Sequence, residues 1–201
     1  MKLFWGLVVR VSKVPNTQRM FDDKNEIVPG LWIGNYHSAH DFNFLRDKNI
    51  KVIINCTVDI PFISDIIEPD QLMLLEPLDI FRIPVQDSLQ ERDFIKMEYY
   101  LQLVLPYLFH KYIKENKNVL IHCRAGKMRS GCVGLSFLYF LRNYHLIPRY
   151  NHPNIEARLP EKLGYNERQI TNWMLRKRPQ IFGYGLRNNF RSSFLRFFKL
   201  K

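Results

Sequence analysis

The most informative stretch of the 201-residue chain is residues 118–144, which read NVLIHCRAGKMRSGCVGLSFLYFLRNY. It begins with a short apolar run up to His122, of the kind that forms a buried strand. A loop containing Gly126 follows, and from about Ser130 to Tyr144 the sequence is strongly apolar and of helical length. A strand, a tight loop and a helix in this order aim backbone N–H groups at a bound anion. The stretch therefore predicts an anion-binding loop.

Further strands and helices alternate on both sides of this loop. Apolar or β-branched runs predict strands over 27–36, which ends in a turn, 51–56 and 81–85. Helical apolar spacing predicts helices over 94–115, which Pro106 should kink or split, and over 166–176. Residues 147–163 contain three prolines and are predicted to form an exposed loop. The alternation predicts an α/β fold with a central, mainly parallel sheet flanked by helices.

Composition and charge restrict the class of protein. The chain is 46% apolar, as expected for a folded domain, and its net charge is +11. Eight of the 30 Lys and Arg residues, and no Asp or Glu, lie between residues 176 and 201. A basic end of this kind attracts nucleic acid, anionic lipid or acidic protein alike, so charge alone does not identify a partner.

Cysteine number and hydropathy indicate the compartment. The three cysteines form no C-x-x-C pair and no Cys/His spacing typical of zinc, which argues against a disulfide framework and a structural metal. A reducing compartment is expected, namely the cytoplasm, although a nuclear location is also compatible with the sequence. No run approaches the roughly 18 apolar residues of a transmembrane helix.

The two ends of the chain lead to separate expectations. Residues 1–26 are predicted to be an N-terminal extension in which Leu3 to Val9 form a strand or a docking arm. Residues 27–201 are predicted to be one catalytic domain that includes a basic C-terminal helix. In that helix four phenylalanines share one face, and a helix packed on the domain is favoured over one lying on a membrane; they are Phe190, Phe194, Phe197 and Phe198.

The loop combines a nucleophile with a phosphate cradle. Cys123 lies at the end of the predicted strand, among converging N–H donors and the positive end of the following helix, which favours its thiolate form. Arg129 is expected on the first helical turn, where its planar guanidinium can bind two phosphate oxygens at once. The loop amides between them form an anion-binding nest, so the predicted phosphate-binding residues are Arg124, Ala125, Gly126, Lys127, Met128 and Arg129.

These residues resemble the signature His-Cys-x5-Arg-Ser of the cysteine-dependent protein tyrosine phosphatases, and the wider sequence resembles their small dual-specificity branch. The resemblance extends over residues 27–198 and includes 28–34, 52–57, 83–87 and 177–181. It implies that Cys123 is the nucleophile, that Arg129 binds phosphate and stabilises the transition state, and that Ser130 assists the departing thiolate. It also implies that Asp87 is the general acid, and it implies neither a metal nor a cofactor.

Several residues have alternative interpretations. Glu91 or Asp93 could be the general acid in place of Asp87, which would then be a solvated loop carboxylate. His122 is expected to support the loop rather than to transfer protons. The other two cysteines, Cys56 and Cys132, are expected to be small core residues rather than redox partners of Cys123.

The sequence thus predicts a metal-independent cysteine phosphatase that hydrolyses phosphotyrosine and phosphoserine or phosphothreonine on proteins through a phosphocysteine intermediate. A phosphoinositide phosphatase is the alternative, because Arg124 and Lys127 make the loop unusually basic and extra cations favour substrates with several phosphates. An RNA 5′-phosphatase comes third, because no recognised RNA-binding motif is visible. The partners expected are therefore a phosphoprotein or, in the alternatives, anionic lipid headgroups or an RNA 5′ end.

Overall fold

A five-stranded sheet forms the centre of the protein. The computed structural model describes residues 23–182 and 190–200. Its strands are β1 (Lys24–Val28), β2 (Leu31–Gly34), β3 (Ile50–Asn55), β4 (Asp79–Arg82) and β5 (Asn118–His122). Their order is β1-β2-β5-β3-β4, with β1 antiparallel to β2 and every other pair parallel. The predicted α/β class with a mainly parallel central sheet is confirmed.

Eight α-helices of the described residues cover the two faces of this sheet. They are α1 (Tyr36–Ala39), α2 (Phe42–Asp47), α3 (Pro69–Leu75), α4 (Glu91–Leu108), α5 (Arg129–Asn143), α6 (Asn154–Arg158), α7 (Glu167–Lys177) and α8 (Arg191–Phe197). Apolar residues of α1, α2 and α3 form the smaller core on one face. The larger core, on the other face, is built from α4 to α8 and is centred on α5.

The parallel strands bring four loops to one edge of the sheet. In the strand register, His122 at the end of β5 lies beside Gly34 of β2 and Asn55 of β3, and Asn55 lies beside Arg82 of β4. The loops that leave these four strands therefore begin next to one another. In open α/β sheets the crevice at the carboxyl ends of the strands is the usual ligand site.

The single strand predicted over 27–36 is instead a hairpin of β1 and β2. Pro29 cannot donate a backbone hydrogen bond, and Gly30 adopts a positive φ of 74° that favours glycine. The Gly30 N–H donates to the Glu26 carboxylate at 2.8 Å, which closes the turn. The turn residues that the sequence places inside one strand therefore separate two.

Helix α4 continues through Pro106, so of the two outcomes predicted for segment 94–115, a kink or a split, the split is wrong. The α-helix runs to Leu108 and is followed directly by a π-helical segment, Phe109–Lys114. In that segment the backbone bonds reach one residue further back, as in the 2.9 Å bond from Glu115 N to His110 O. The helix therefore continues past the proline and ends in a wider π-helical segment.

Residues 147–163 are more ordered than the predicted exposed loop. They contain helix α6 and two 3₁₀ turns, Pro148–Tyr150 and Glu161–Leu163. Ile155, Leu159 and Leu163 recur at intervals of four residues and are buried in the larger core. The prolines stand at the first position of a 3₁₀ turn or just before a helix, where the missing N–H costs nothing.

The C-terminal helix packs on the domain, as predicted. Phe190 and Phe194 are fully buried, and Phe194 lies edge-on to Tyr139 of α5 with ring centroids 5.3 Å apart. Arg196 on the outer side of α8 pairs with Glu91 and Glu98 of α4. The strand or docking arm predicted for Leu3 to Val9 lies outside the described residues.

Candidate active site

The phosphate loop, from Cys123 to Arg129, connects the central strand β5 to helix α5. Cys123 lies at its base with 1% of its surface exposed. The Cys123 Sγ is 3.3 Å from the hydroxyl oxygen of Ser130, on the first turn of α5. The structure thus brings the predicted nucleophile and the predicted thiolate-stabilising serine into contact.

The carbonyl groups of the loop are bound on its outer side. The Arg124 carbonyl accepts a hydrogen bond from Tyr36 N at 3.3 Å, and the Lys127 carbonyl accepts one from Phe182 N at 3.2 Å. The Gly126 carbonyl accepts a 2.7 Å bond from the guanidinium of Arg178. In a trans peptide the C=O and the following N–H point in opposite directions. The amides of Ala125, Lys127 and Met128 therefore point to the inner side of the loop, where a phosphate would lie.

Arg129 connects this loop to the loop that carries Asp87. Its guanidinium is 5% exposed and donates to the Val85 carbonyl at 2.9 Å and to the Asp87 carboxylate at 3.2 Å. The third nitrogen of the guanidinium, Nε, is buried, and its N–H has no hydrogen-bond partner among residues 23–182 and 190–200. A buried donor without a partner is costly, and a phosphate oxygen would satisfy it.

Asp87 is the one of the three candidate acids that contacts Arg129. Its side chain is 39% exposed, so it is open to a substrate. Asp93 is buried in the first turn of α4, where it accepts a hydrogen bond from the Ser88 hydroxyl. Glu91 points away and forms an ion pair with Arg196. The geometry places Asp87 beside the phosphate loop and gives the other two carboxylates structural contacts.

His122 and the remaining cysteines lie in the core behind the loop. Burial lowers the pKa of His122 from 6.5 to about 3, so the ring is neutral at physiological pH. Burial also raises the pKa of Cys132 to about 12 and that of Cys56 well above its usual value. Both thiols are therefore protonated, which agrees with the core role expected from the sequence.

A charged pair lies at the rim of the loop. The Arg124 side chain is exposed and forms an ion pair with Asp59, from the loop that follows β3. The buried side chain of Asn55 shapes this loop through hydrogen bonds with Thr57 and the Ile60 carbonyl. The guanidinium of Arg124 thus already has an acidic partner.

Sequence reasoning did not assign a role to Arg178. This arginine follows α7 and is 1% exposed, and its guanidinium donates to the Gly126 carbonyl and to the Asn25 side chain. Its partners lie 52 and 153 residues away along the chain. The only signal in the sequence is its position in the segment 177–181, which shares the resemblance described above.

A buried cysteine, a ring of inward amides and an arginine beside a carboxylate, at the carboxyl edge of an α/β sheet, define the class of cysteine-dependent phosphatases. The family model of the dual specificity phosphatase catalytic domain matches residues 31–154, more than half of the chain. The chain belongs to this family, and the predicted class is confirmed.

Individual relatives agree with this assignment. The chain is 30% identical over 112 residues to tyrosine-protein phosphatase vhp-1 of Caenorhabditis elegans, a match to 56% of the chain and 15% of that protein. It is 24% identical over 161 residues to dual specificity protein phosphatase 14 of Mus musculus, covering 79% of the chain and 70% of the relative. These names do not favour the phosphoinositide and RNA alternatives.

A solved structure shares the fold. Human DUSP28 superposes with a TM-score of 0.59 at 14% identity, covering 88% of this chain and 93% of that one. Within the described part of the chain, no helix is both long and apolar enough to cross a membrane.

Proposed function

We propose that the protein hydrolyses phosphotyrosine and phosphoserine or phosphothreonine in protein substrates through a phosphocysteine intermediate. The observation that supports this most directly is the convergence of Cys123, Arg129 and Asp87 on one side of the phosphate loop. A nucleophile, a cation for the transferring phosphoryl group and a carboxyl group for the leaving oxygen are the three components that the reaction needs.

In the first step the Cys123 thiolate attacks phosphorus on the side opposite the ester oxygen. The S–P bond forms as the P–O ester bond breaks, and the bonding electron pair leaves with the oxygen. Asp87, in its carboxylic acid form, donates a proton to that oxygen, so that tyrosine, serine or threonine departs as a neutral hydroxyl. Asp87 becomes a carboxylate, and the phosphoryl group remains on the sulfur.

In the second step a water molecule attacks the phosphocysteine. The Asp87 carboxylate accepts a proton from this water, a new P–O bond forms, and the S–P bond breaks to release inorganic phosphate. The Ser130 hydroxyl, 3.3 Å from the sulfur, donates a hydrogen bond to the departing thiolate. Serine therefore lowers the cost of expelling a charged sulfur in a buried site.

Negative charge on the transferring group is compensated by fixed donors in both steps. The inward amides of the loop and the Arg129 guanidinium would surround the equatorial phosphate oxygens, and the Val85 carbonyl and the Asp87 carboxylate hold that guanidinium in place. Because their partners on the outer side hold them in place, they need little reorganisation in the transition state. The cysteine supplies the nucleophile and the arginine supplies the charge, so we expect turnover without an added metal ion.

A protein substrate is favoured because Arg124 is already paired with Asp59. A lipid or RNA end with several phosphates would have to displace the Asp59 carboxylate before it could use that cation, whereas a single phosphorylated side chain would not. We propose further that the catalytic domain runs from β1, which begins at Lys24, to residue 201, so that it starts before the boundary at residue 27 that the sequence predicts. We also propose that the residues before β1 extend this domain and that the protein works in a reducing compartment.

A substrate panel tests the proposal. The wild type should hydrolyse an aryl phosphate, a phosphotyrosine peptide and a phosphothreonine peptide in the presence of chelator, and it should be slower on phosphoinositide vesicles and 5′-triphosphorylated RNA. Cys123→Ser should be inactive on all of them, whereas Cys132→Ser, a buried cysteine outside the loop, should retain activity. Preference for lipid or RNA, or an active Cys123→Ser, would overturn the proposed function.

A further inference from the structure

The segment after α7 holds the outer side of the phosphate loop. Arg178 donates through Nε to the Gly126 carbonyl at 2.7 Å, and Phe182 N donates to the neighbouring Lys127 carbonyl at 3.2 Å. Ile181 lies against the first turn of α5, where a Cβ on Gly131 would come within 2.7 Å of its side chain. Three residues of the segment 178–182 thus contact two consecutive loop carbonyls and the start of α5.

Strand β1 holds the Arg178 side chain in turn. The Arg178 Nη1 group donates to the Asn25 side chain of β1 at 2.6 Å. Arg178 is 1% exposed and is among the largest side chains that are fully buried. Burying a guanidinium is costly unless its donors are satisfied, so this position restricts both the rotamer and the partners of Arg178.

The backbone at Gly126 fits closely against Arg178. Its φ of 64° lies in the left-handed region, and a Cβ there would come within 2.5 Å of the Gly34 carbonyl and 2.6 Å of the Arg178 guanidinium. Without a donor on its outer side, the Gly126 carbonyl would be free to rotate. Rotation of that peptide would turn the amide of Lys127 away from the phosphate.

We propose that Arg178 is a positioning residue for the phosphate loop. It holds the Gly126 carbonyl outward, so that the Lys127 amide faces the substrate phosphate. This inference rests on the proposed function and extends it to a residue that does not touch the substrate. At metal sites, residues that orient the metal ligands commonly change affinity or activity about ten- to a hundredfold when they are substituted, and we expect a loss of similar size here.

Substitution of two buried arginines separates an effect on the geometry of the phosphate loop from an effect on the stability of the fold. Arg142 is 3% exposed and donates to the Pro160 carbonyl at 2.7 Å, at the end of α5 away from the loop. Arg178→Met and Arg142→Met each remove a buried guanidinium from a backbone carbonyl, and both should lower the melting temperature. Only Arg178→Met should raise the inhibition constant of inorganic vanadate and lower kcat/KM on an aryl phosphate, each at least tenfold.

Arg178→Lys provides the conservative variant. An ammonium group keeps the charge and one hydrogen bond, so it should recover part of the vanadate affinity without restoring the fork geometry. If Arg178→Met does not fold, Arg178→Lys and Asn25→Leu supply the same comparison with milder changes. The positioning role would be overturned by a wild-type vanadate inhibition constant in Arg178→Met, or in both milder variants where Arg178→Met does not fold, or by an equal loss in Arg142→Met.

Binding of inorganic phosphate, followed by ³¹P line broadening, distinguishes this inference from the proposed function. A wild type that binds phosphate but releases none from any ester would reject the proposed function, and the comparison of Arg178→Met with Arg142→Met would still test the positioning role of Arg178. A wild type that turns over normally while Arg178→Met binds phosphate as tightly as the wild type would reject the positioning role alone.

Discussion

Replacement of Asp87 by asparagine separates proton donation from charge pairing at the active site. Asparagine keeps the size of the side chain and can still hydrogen-bond to Arg129, but it cannot protonate a leaving oxygen. A general acid contributes roughly a hundredfold to ten-thousandfold in rate, which corresponds to about 2.7–5.4 kcal/mol. The ion pair between Asp87 and Arg129 joins a buried guanidinium to a carboxylate that is 39% exposed, and asparagine can keep a hydrogen bond to that guanidinium in place of the ion pair. The loss of proton donation should therefore account for most of the decrease in rate.

The dependence on the leaving group identifies the source of that loss. We expect Asp87→Asn to lower kcat/KM on a phosphotyrosine peptide at least a hundredfold, and much less on an aryl phosphate whose phenol is a strong acid. Kinetics on a series of aryl phosphates, at constant pH, should give a steeper dependence on phenol pKa for the variant than for the wild type. Asp93→Asn and Glu91→Gln are the controls and should keep the shallow dependence.

Two results would refute the assignment of Asp87. One is an equal loss across the whole series, which would mean that Asp87 positions Arg129 and does not transfer a proton. The other is a steep dependence in Asp93→Asn or Glu91→Gln, which would identify a different acid.

Three further predictions concern the rim, the core and the His122 ring. Changing Arg124 and Lys127 together to alanine should reduce kcat/KM on a phosphotyrosine peptide less than about fivefold, because the loop amides and Arg129 bind the reacting phosphate and an exposed ion pair such as that of Arg124 with Asp59 contributes at most about 1 kcal/mol. A hundredfold loss would contradict this. Phe194→Ala should lower the free energy of unfolding by about 3–5 kcal/mol in chemical denaturation, since the ring is fully buried, and a loss below about 1 kcal/mol would contradict the docked helix. His122 stays neutral down to about pH 3 in the folded protein but gains a proton below about pH 6.5 when unfolded, so it should reduce stability by about 1–2 kcal/mol between pH 7 and pH 5. His122→Gln should lack this part of the pH dependence, and identical pH profiles for the two proteins would contradict a buried neutral ring.

The sheet and the phosphate loop could be predicted because their signals are local. The β-branched run at 51–56 and the apolar run ending at His122 correspond to β3 and β5, which are buried on both faces. The spacing between Cys123 and Arg129 requires a loop of fixed length, so the sequence alone indicates the cradle. Asp87 followed from resemblance, and the structure adds its contact with Arg129.

Other features could not be predicted, because the same residue types serve two purposes. The prolines of segment 147–163 indicate a loop, yet they stand at positions where short helical turns begin, and only the burial of Ile155 and Leu159 shows that the segment packs on the core. Arg178 belongs to a basic run that suggests a solvated surface. Its burial depends on Gly126 and Asn25, which no local pattern connects to it.

Trapping the covalent intermediate tests the central claim most directly. Wild type and Asp87→Asn would be mixed with an activated aryl phosphate, quenched in acid within milliseconds to seconds and digested, and the peptides analysed by mass spectrometry. We predict one phosphoryl group on the peptide that contains Cys123. It should be more abundant in Asp87→Asn, because that variant also lacks the base for the attacking water, and absent from Cys123→Ser. Product release without a phosphorylated Cys123 at any quench time, or the same modification on Cys56 or Cys132, would contradict the account.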